Sequence, residues 1–181
     1  MSAQANLKLR ELEAGDDDKG FLDLLAQLTV VGEISQQQFN DRFQLLQSKQ
    51  PDYYIVVLED VDKQRVVASA TLLIEYKILR HCGKVGHIED VVVDDGYRGQ
   101  KLGQRVIAAL MTHAQSQGCY KVILDCSDSN VPFYEKCGFT RKEVQMGISW
   151  GQAEPASVYL VETQISLMPY IAQQQVARLD M

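Results

Sequence analysis

Stretches in which apolar and polar residues alternate give way to stretches in which apolar residues recur every three or four positions, and these changes of period set out the elements. Leu7, Leu9 and Leu12, spaced by Lys8 and Arg10, predict a first edge strand. Phe21, Leu22, Leu24, Leu25 and Leu28 predict a helix closed by Thr29-Val30-Val31-Gly32. Asp16, Asp17 and Asp18 precede it and read as a cap, because the helix dipole favours acids in a first turn. They lack the partners a metal would need. Ser35, with Gln38 three residues on, reads as a capping box for a second helix that carries Phe39, Phe43, Leu45 and Leu46 and ends at Pro51. Residues 53–58 and 66–74 predict a hairpin around a polar turn at 59–63, its second strand running on toward Leu79.

The strand that follows, Gly86-His87-Ile88-Glu89-Asp90-Val91-Val92-Val93, meets a glycine-punctuated turn and then a helix whose Leu102, Val106, Ile107, Leu110, Met111 and Ala114 share one face. A helix N-terminus leaves backbone N–H groups unpaired and partly positive. Gly96, Gly99 and Gly103 allow close approach of backbone to a bulky anion, and Arg98 and Lys101 add charge, so the turn reads as a phosphate cradle. Its spacing is neither the dinucleotide nor the P-loop pattern. Regular pleating puts His87, Glu89 and Val91 on one face and Ile88, Asp90 and Val92 on the other. Either both acids lie solvated at the cleft mouth, or a bulge aims both into one pocket, or one acid supports the other from outside.

Gly118 stops the long helix, residues 119–126 form a strand, and Ser127-Asp128-Ser129-Asn130 is a turn and cap. Residues 131–137 form a short helix with Pro132 in its first turn, ended by Gly138, and residues 139–146 form another strand. Beyond 147 the pattern weakens, with a strand-like alternation over 158–165 and a terminal helix over 168–179. The order predicts an α/β fold: a single domain with a mixed, mostly antiparallel twisted sheet flanked by helices.

Composition narrows the function classes. A net charge of −6 disfavours nucleic acid as a general partner. No apolar run reaches membrane-spanning length and no signal peptide opens the chain, so a cytoplasmic protein is expected. Cys82, Cys119, Cys126 and Cys137 form no metal or disulfide pattern and read as buried reduced thiols.

Arg98-Gly99-Gln100-Lys101-Leu102-Gly103 resembles the pyrophosphate-binding turn of the GNAT superfamily of N-acetyltransferases, with Lys101 where that pattern has Gly. Asn130-Val131-Pro132-Phe133-Tyr134-Glu135-Lys136-Cys137-Gly138-Phe139 resembles the second signature of the same superfamily. Residues 86–93 and 119–126, together with Leu28-Thr29-Val30-Val31-Gly32, resemble the narrower glucosamine-6-phosphate N-acetyltransferase family. The resemblance covers residues 7 to 147 and implies a 1–147 acetyltransferase domain, with a 148–181 extension packed on it.

It implies acetyl-CoA as co-substrate, no metal, an amino-sugar phosphate acceptor, a place in UDP-GlcNAc synthesis, and an intertwined homodimer with shared active sites. Backbone at Val91, Val92 and Val93 would pair with the pantetheine arm. Arg98, Gly99, Gln100, Lys101, Leu102, Gly103 and Gln104 would hold the pyrophosphate. Asn130, Tyr134, Glu135 and Lys136 would lie along the thioester and coenzyme. Thr29, Lys77, Ile78, Leu79, Arg80, Glu89, Asp90, Tyr120, Lys121 and Asp125 match sugar-phosphate positions. The family usually has a basic residue in its last strand. Ser149 and Trp150 stand there, so either Lys77, Arg80 and Lys121 suffice, or Arg141, Lys142 or Arg178 substitutes.

Direct transfer to an amine needs a neutral amine, a stabilised thioester oxygen and a stabilised thiolate. An N–H near Val91 serves the oxygen. Tyr134 serves the thiolate; full proton transfer from an ordinary tyrosine to a thiolate is uphill by roughly 2 kcal/mol. Glu89, Asp90 or Asp125 takes the amine proton, directly or through water, or orients the sugar. Two rivals remain at this level: acetylation of another small amine or a protein N-terminus, and a non-catalytic acetyl-CoA-binding module.

Overall fold

The structure is a computed structural model and describes residues 6–148. Two compact units divide the chain, Met1–Glu143 and Val144–Met181, and every element named below belongs to the first. The elements run β1 (Leu7–Glu11), α1 (Phe21–Leu25), α2 (Gln36–Gln47), β2 (Tyr53–Asp60), β3 (Arg65–Tyr76), a turn α3 (Leu79–Cys82), β4 (Lys84–Val93), α4 (Leu102–Ser116), β5 (Cys119–Leu124) and α5 (Val131–Lys136). The five strands form one open sheet in chain order. The β1–β4 pairings are antiparallel, and β4 pairs with β5 in parallel, across the α4 crossover.

Two apolar clusters use the two faces of the sheet. One packs Leu72, Ala70 and Ile88 against Leu102, Val106, Ile107 and Leu110 of α4. The other packs Val57, Val66 and Val92 against Phe21, Leu24 and Phe39 of α1 and α2. Leu110 is fully buried, so its truncation to Ala removes about 2–5 kcal/mol of stability. Gly103 allows α5 to approach α4, since a Cβ there would lie 2.9 Å from the Phe133 ring. That approach seats Phe133, the residue before Tyr134, against the start of α4.

Several expectations hold. Ser35 caps α2 with Gln38 in a reciprocal capping box, and Gly118 ends α4 at φ 79°. Others are corrected. The acids at 16–18 do not cap α1, whose N-cap is Gly20. Asp16 is instead fully buried and receives both Arg10 Nη atoms, at 2.6 and 2.7 Å. Arg10 also donates to Glu59 at 2.8 Å, and Lys19 meets Glu59 at 2.9 Å. Glu59 and Asp60 therefore end β2 as buried residues rather than opening a solvated turn, because cations from β1, the loop before α1 and the β2–β3 turn meet them.

The strand expected over 139–146 does not form, and residues 140–148 carry no ladder. Alternation supplies a face but not the backbone hydrogen bonds of a ladder, and none form over these residues. Val144, Met146 and Ile148 alternate as exposed residues. The cysteines are free, but Cys82 and Cys126 are exposed and Cys119 and Cys137 half-buried, which corrects the expectation of four buried thiols. The strand and helix expected over 158–179, and the 148–181 extension apart from Ile148, lie outside the described residues, as do Ser149, Trp150 and Arg178.

Candidate active site

The site begins where β4 leaves its neighbours. Between Ser69↔Val92 and Thr71↔Glu89 the β3–β4 register shifts, so Asp90 and Val91 face Ala70 alone. Asp90 takes φ 51°, a left-handed conformation that is costly without glycine. This bulge overrides the alternation. Glu89 stands opposite Thr71, and Asp90 lines the same cavity as Thr71 and Tyr53. The cavity, of about 620 Å³, lies between the sheet and the α1–α2 pair.

The β4–β5 ladder stops at Ile88↔Leu124. Beyond it the two strands separate, leaving the β5-side edge of Val91, Val92 and Val93 without a strand partner among the described residues. Ile123 pairs with His87, so alternation carries Lys121, Ile123 and Asp125 onto the face that bears His87 and Glu89. Four predicted acceptor residues, Glu89, Asp90, Lys121 and Asp125, thus share one sheet face.

Electrostatics mark the same place. Burial pushes the Glu89 carboxyl up, and the like charges of Asp90 and Asp125 push it further. The Tyr134 phenol is pushed up to about 12, mainly by burial, with Cys126, Cys137 and Glu89 adding to it. Phe133 and Phe139 hold its ring edge-on at 4.9 and 6.2 Å. Tyr53, which the sequence reading passed over, is raised by burial and then by Asp90, with Arg42 opposing. Its signal was the Tyr53-x-Ile55-x-Val57 alternation, which puts it on the α1–α2 face. Among the described residues no salt bridge reaches Glu89, Asp90 or Asp125.

At the far end of β4, Asp94 accepts from the Gly96 N–H and opens the turn. Gly99 at φ 80° and Lys101 at φ 61° fold the backbone into α4. Lys101 thus occupies a left-handed position where glycine costs nothing, which is why the family pattern has Gly there. Among the described residues, none of the backbone N–H groups of residues 99–104 donates to another group. Six unpaired donors at the N-terminus of a 15-residue helix fit a pyrophosphate. Arg98 is exposed and pairs with Asp95 at 2.5 Å. Asn130 takes the N-cap position of α5 without a side-chain cap bond, and Glu135 and Lys136 are exposed on α5.

The remaining predicted contacts are distributed unevenly. Lys77 pairs with Glu75 at 2.5 Å, and Glu75 also meets His87 at 3.0 Å, so the Lys77 ammonium is already matched. Arg80 lies over the Tyr120 ring at 6.0 Å, which joins two predicted acceptor residues. Arg80, His81 and Cys82 all have left-handed backbone, each costing roughly 1–2 kcal/mol. The turn leaves Ile78 88% and Leu79 72% exposed. Thr29 lies in the exposed segment after α1.

Residues 19–139 match the model of the acetyltransferase (GNAT) family. The chain belongs to this family. Curated relatives within it include glucosamine 6-phosphate N-acetyltransferase of Arabidopsis thaliana, 50% identical over 77% of this chain and 93% of the relative. Another is glucosamine 6-phosphate N-acetyltransferase 1 of Dictyostelium discoideum, 45% identical over 78% and 90%. The crystal structure of the Arabidopsis thaliana enzyme has a TM-score of 0.79 at 48% identity, covering 80% of this chain and 99% of that one. The GNAT fold, an open mixed sheet flanked by helices, is therefore this chain's architecture.

Proposed function

We propose that the chain transfers the acetyl group of acetyl-CoA to the 2-amino group of D-glucosamine 6-phosphate. The observation that carries this reading is the meeting of Glu89, Asp90, Asp125 and Tyr134 where β4 and β5 part, at the end of a strand that leads directly into the unpaired N–H cradle. The relatives' named substrate and the match of this face to acceptor positions support the amino sugar. When bound, acetyl-CoA supplies the acyl group as an activated thioester.

The residues divide the work. The N–H groups of residues 99–104, with Arg98 and Lys101, bind pyrophosphate, and the free edge of Val91, Val92 and Val93 aligns the pantetheine amides. An N–H near Val91 at the bulge faces the developing oxyanion. Glu89, Asp90 and Asp125 draw an ammonium in and orient it. Glu89, with its proton affinity raised, is the best matched of the three to take the amine's proton, directly or through water. The bound ammonium first loses one proton to solvent; the neutral amine then attacks, a C–N bond forms and the C–S bond breaks, the nitrogen's second proton passes to Glu89, and coenzyme A leaves as a thiolate that takes its proton from solvent. Tyr134 stays protonated throughout the physiological range and donates a hydrogen bond to the departing sulfur. Full transfer from a phenol near 12 to a thiolate near 8.5 is uphill by roughly 5 kcal/mol, so the hydrogen bond itself is the stabilising interaction.

The reading extends to a homodimer with shared active sites. It is supported by the β5 edge, unpaired among the described residues, and by exposed Tyr120, Ile123, Ile78 and Leu79 around it. One observation favours a second acceptor class. The open face holds three acids with no cation paired to them among the described residues, Lys121 being the one predicted acceptor-site base on that face, while Lys77 pairs with Glu75, an arrangement suited to a cationic amine without phosphate. Thiol release from acetyl-CoA with glucosamine 6-phosphate and, separately, with glucosamine decides between them. Strong preference for the phosphate supports the first reading; preference for the unphosphorylated sugar overturns it.

A further inference from the structure

The phosphate loop and the acceptor-side segment after α1 are joined by one side chain. Gln27 Oε1 accepts from the Asp95 N–H at 2.9 Å, and Gln27 Nε2 donates to Asp94 Oδ2 at 3.1 Å. Asp94 is itself committed. Its Oδ1 accepts from the Gly96 N–H at 2.9 Å, and its Oδ2 also receives Arg65 at 2.8 Å. Both ends of the amide are therefore used, and their orientation is specified. A reversed amide would set NH2 against the Asp95 N–H and oxygen against the Asp94 carboxylate.

Gln27 also moves with its own segment. Its N–H donates to the Leu24 carbonyl, and the Leu28 and Thr29 N–H groups donate to Leu25. The other side-chain tethers of the loop, Asp60 and Lys63 on Tyr97 and Arg65 on Asp94, come from the end of β2, the β2–β3 turn and the start of β3. Among the described residues, Gln27 makes the one side-chain hydrogen-bonded link between residues 26–32 and the loop.

We propose that Gln27 is a positioning residue that couples the two substrate sites, so that filling the 94–104 loop with the coenzyme fixes residues 26–32 for the acceptor. The link runs from the pyrophosphate cradle through Asp94 and Asp95 to Gln27 and on to Thr29. It rests on the proposed acetyl transfer for the identity of the acceptor, but the coupling itself requires only coenzyme A. Ordering the loop lowers the cost of ordering the segment, and the acceptor then binds a surface already formed.

Two measurements on the full chain test this. In the first, amide hydrogen exchange is followed with and without coenzyme A alone. The wild type should show slower exchange in peptides covering both 94–104 and 24–32, and Gln27→Ala should show it in 94–104 only. Slowing of both peptides in Gln27→Ala, or of the loop alone in the wild type, overturns the proposal. In the second, steady-state kinetics of Gln27→Ala should show acceptor KM raised roughly three- to tenfold, as expected for the loss of one exposed and one part-buried hydrogen bond, with kcat and the affinity for coenzyme A alone within twofold. Equal loss in kcat, acceptor KM and coenzyme A affinity would mark a merely structural residue and overturn the proposal. Gln27→Glu sets a carboxylate against Asp94 and should raise acceptor KM. If the wild type fails to acetylate glucosamine 6-phosphate, the acceptor reading falls while the exchange result still stands or falls by itself.

Discussion

Two groups of carboxylates in this chain have opposite surroundings. Asp16, Glu59, Asp60 and Asp94 are buried, and each is met by a cation or a hydrogen-bond donor. Lys19 and Arg10 hold the Glu59 carboxyl below the usual range, and the Tyr97 hydroxyl does the same for Asp60. Glu89, Asp90 and Asp125 have no cation paired to them among the described residues, and partial desolvation, with the like charges of Asp90 and Asp125, raises the proton affinity of Glu89. The first group joins β1, β2, the loop before α1 and the phosphate turn into a rigid frame. The second is left without cations among the described residues, which suits it to the ammonium of the proposed acceptor. The difference teaches that an acid's role is read from its partners rather than from its type or position on a strand.

The largest way to break the frame is to remove its shared cation. Arg10→Ala leaves Asp16 buried without its partner and should cost about 3–5 kcal/mol, read as a lower denaturant midpoint at unchanged slope. A change below about 1 kcal/mol would mean the network is not what holds β1 to the loop. In the open region, Tyr134→Phe should lower turnover by roughly 10²-fold, about 2.7 kcal/mol of barrier, with acetyl-CoA binding retained. Turnover equal to wild type would move the thiolate's donor elsewhere.

A smaller effect tests the turn between the regions. Lys101→Gly should stabilise the chain by about 1 kcal/mol by relieving the left-handed backbone, while coenzyme binding weakens and loses part of its salt dependence. Stabilisation without weaker binding would take the ammonium out of the cradle. Acid sharpens the contrast further. Glu59 and Asp60 hold their protons less tightly when folded, so their contribution is complete above the ordinary carboxylate range and is lost as pH falls through it. Glu89 has the opposite sign: its proton is held more tightly when folded, so its burden on stability appears as pH rises past that range.

The parts legible in the sequence were those decided locally. The Ser35–Gln38 box, the Gly118 stop and the amphipathic face of α4 each need only neighbours within a few positions. A bulge is one of the readings open for Glu89 and Asp90, and the backbone at Asp90 provides it. What stayed hidden depends on partners distant in the chain. Arg10 and Lys19 lie within six residues of Asp16, but it is Glu59, brought in from the end of β2, that they are shared with, and without it an acidic triplet reads as a cap. The alternation over 139–146 is genuine, yet a strand requires a neighbour that alternation does not supply. Gln27 escaped notice because a single glutamine in a polar stretch carries no pattern until Asp94 and Asp95 come to meet it.

The contrast reduces to one paired measurement: thermal stability and turnover of Glu89→Gln beside Asp16→Asn at neutral pH. Glu89→Gln should raise stability by a few tenths to about 1 kcal/mol, the gain vanishing in acid, while turnover falls sharply; Asp16→Asn should destabilise by several times as much. If Glu89→Gln instead loses stability in step with Asp16→Asn, or keeps full turnover, the open acids belong to the frame, and the account of this face as the acceptor site is wrong.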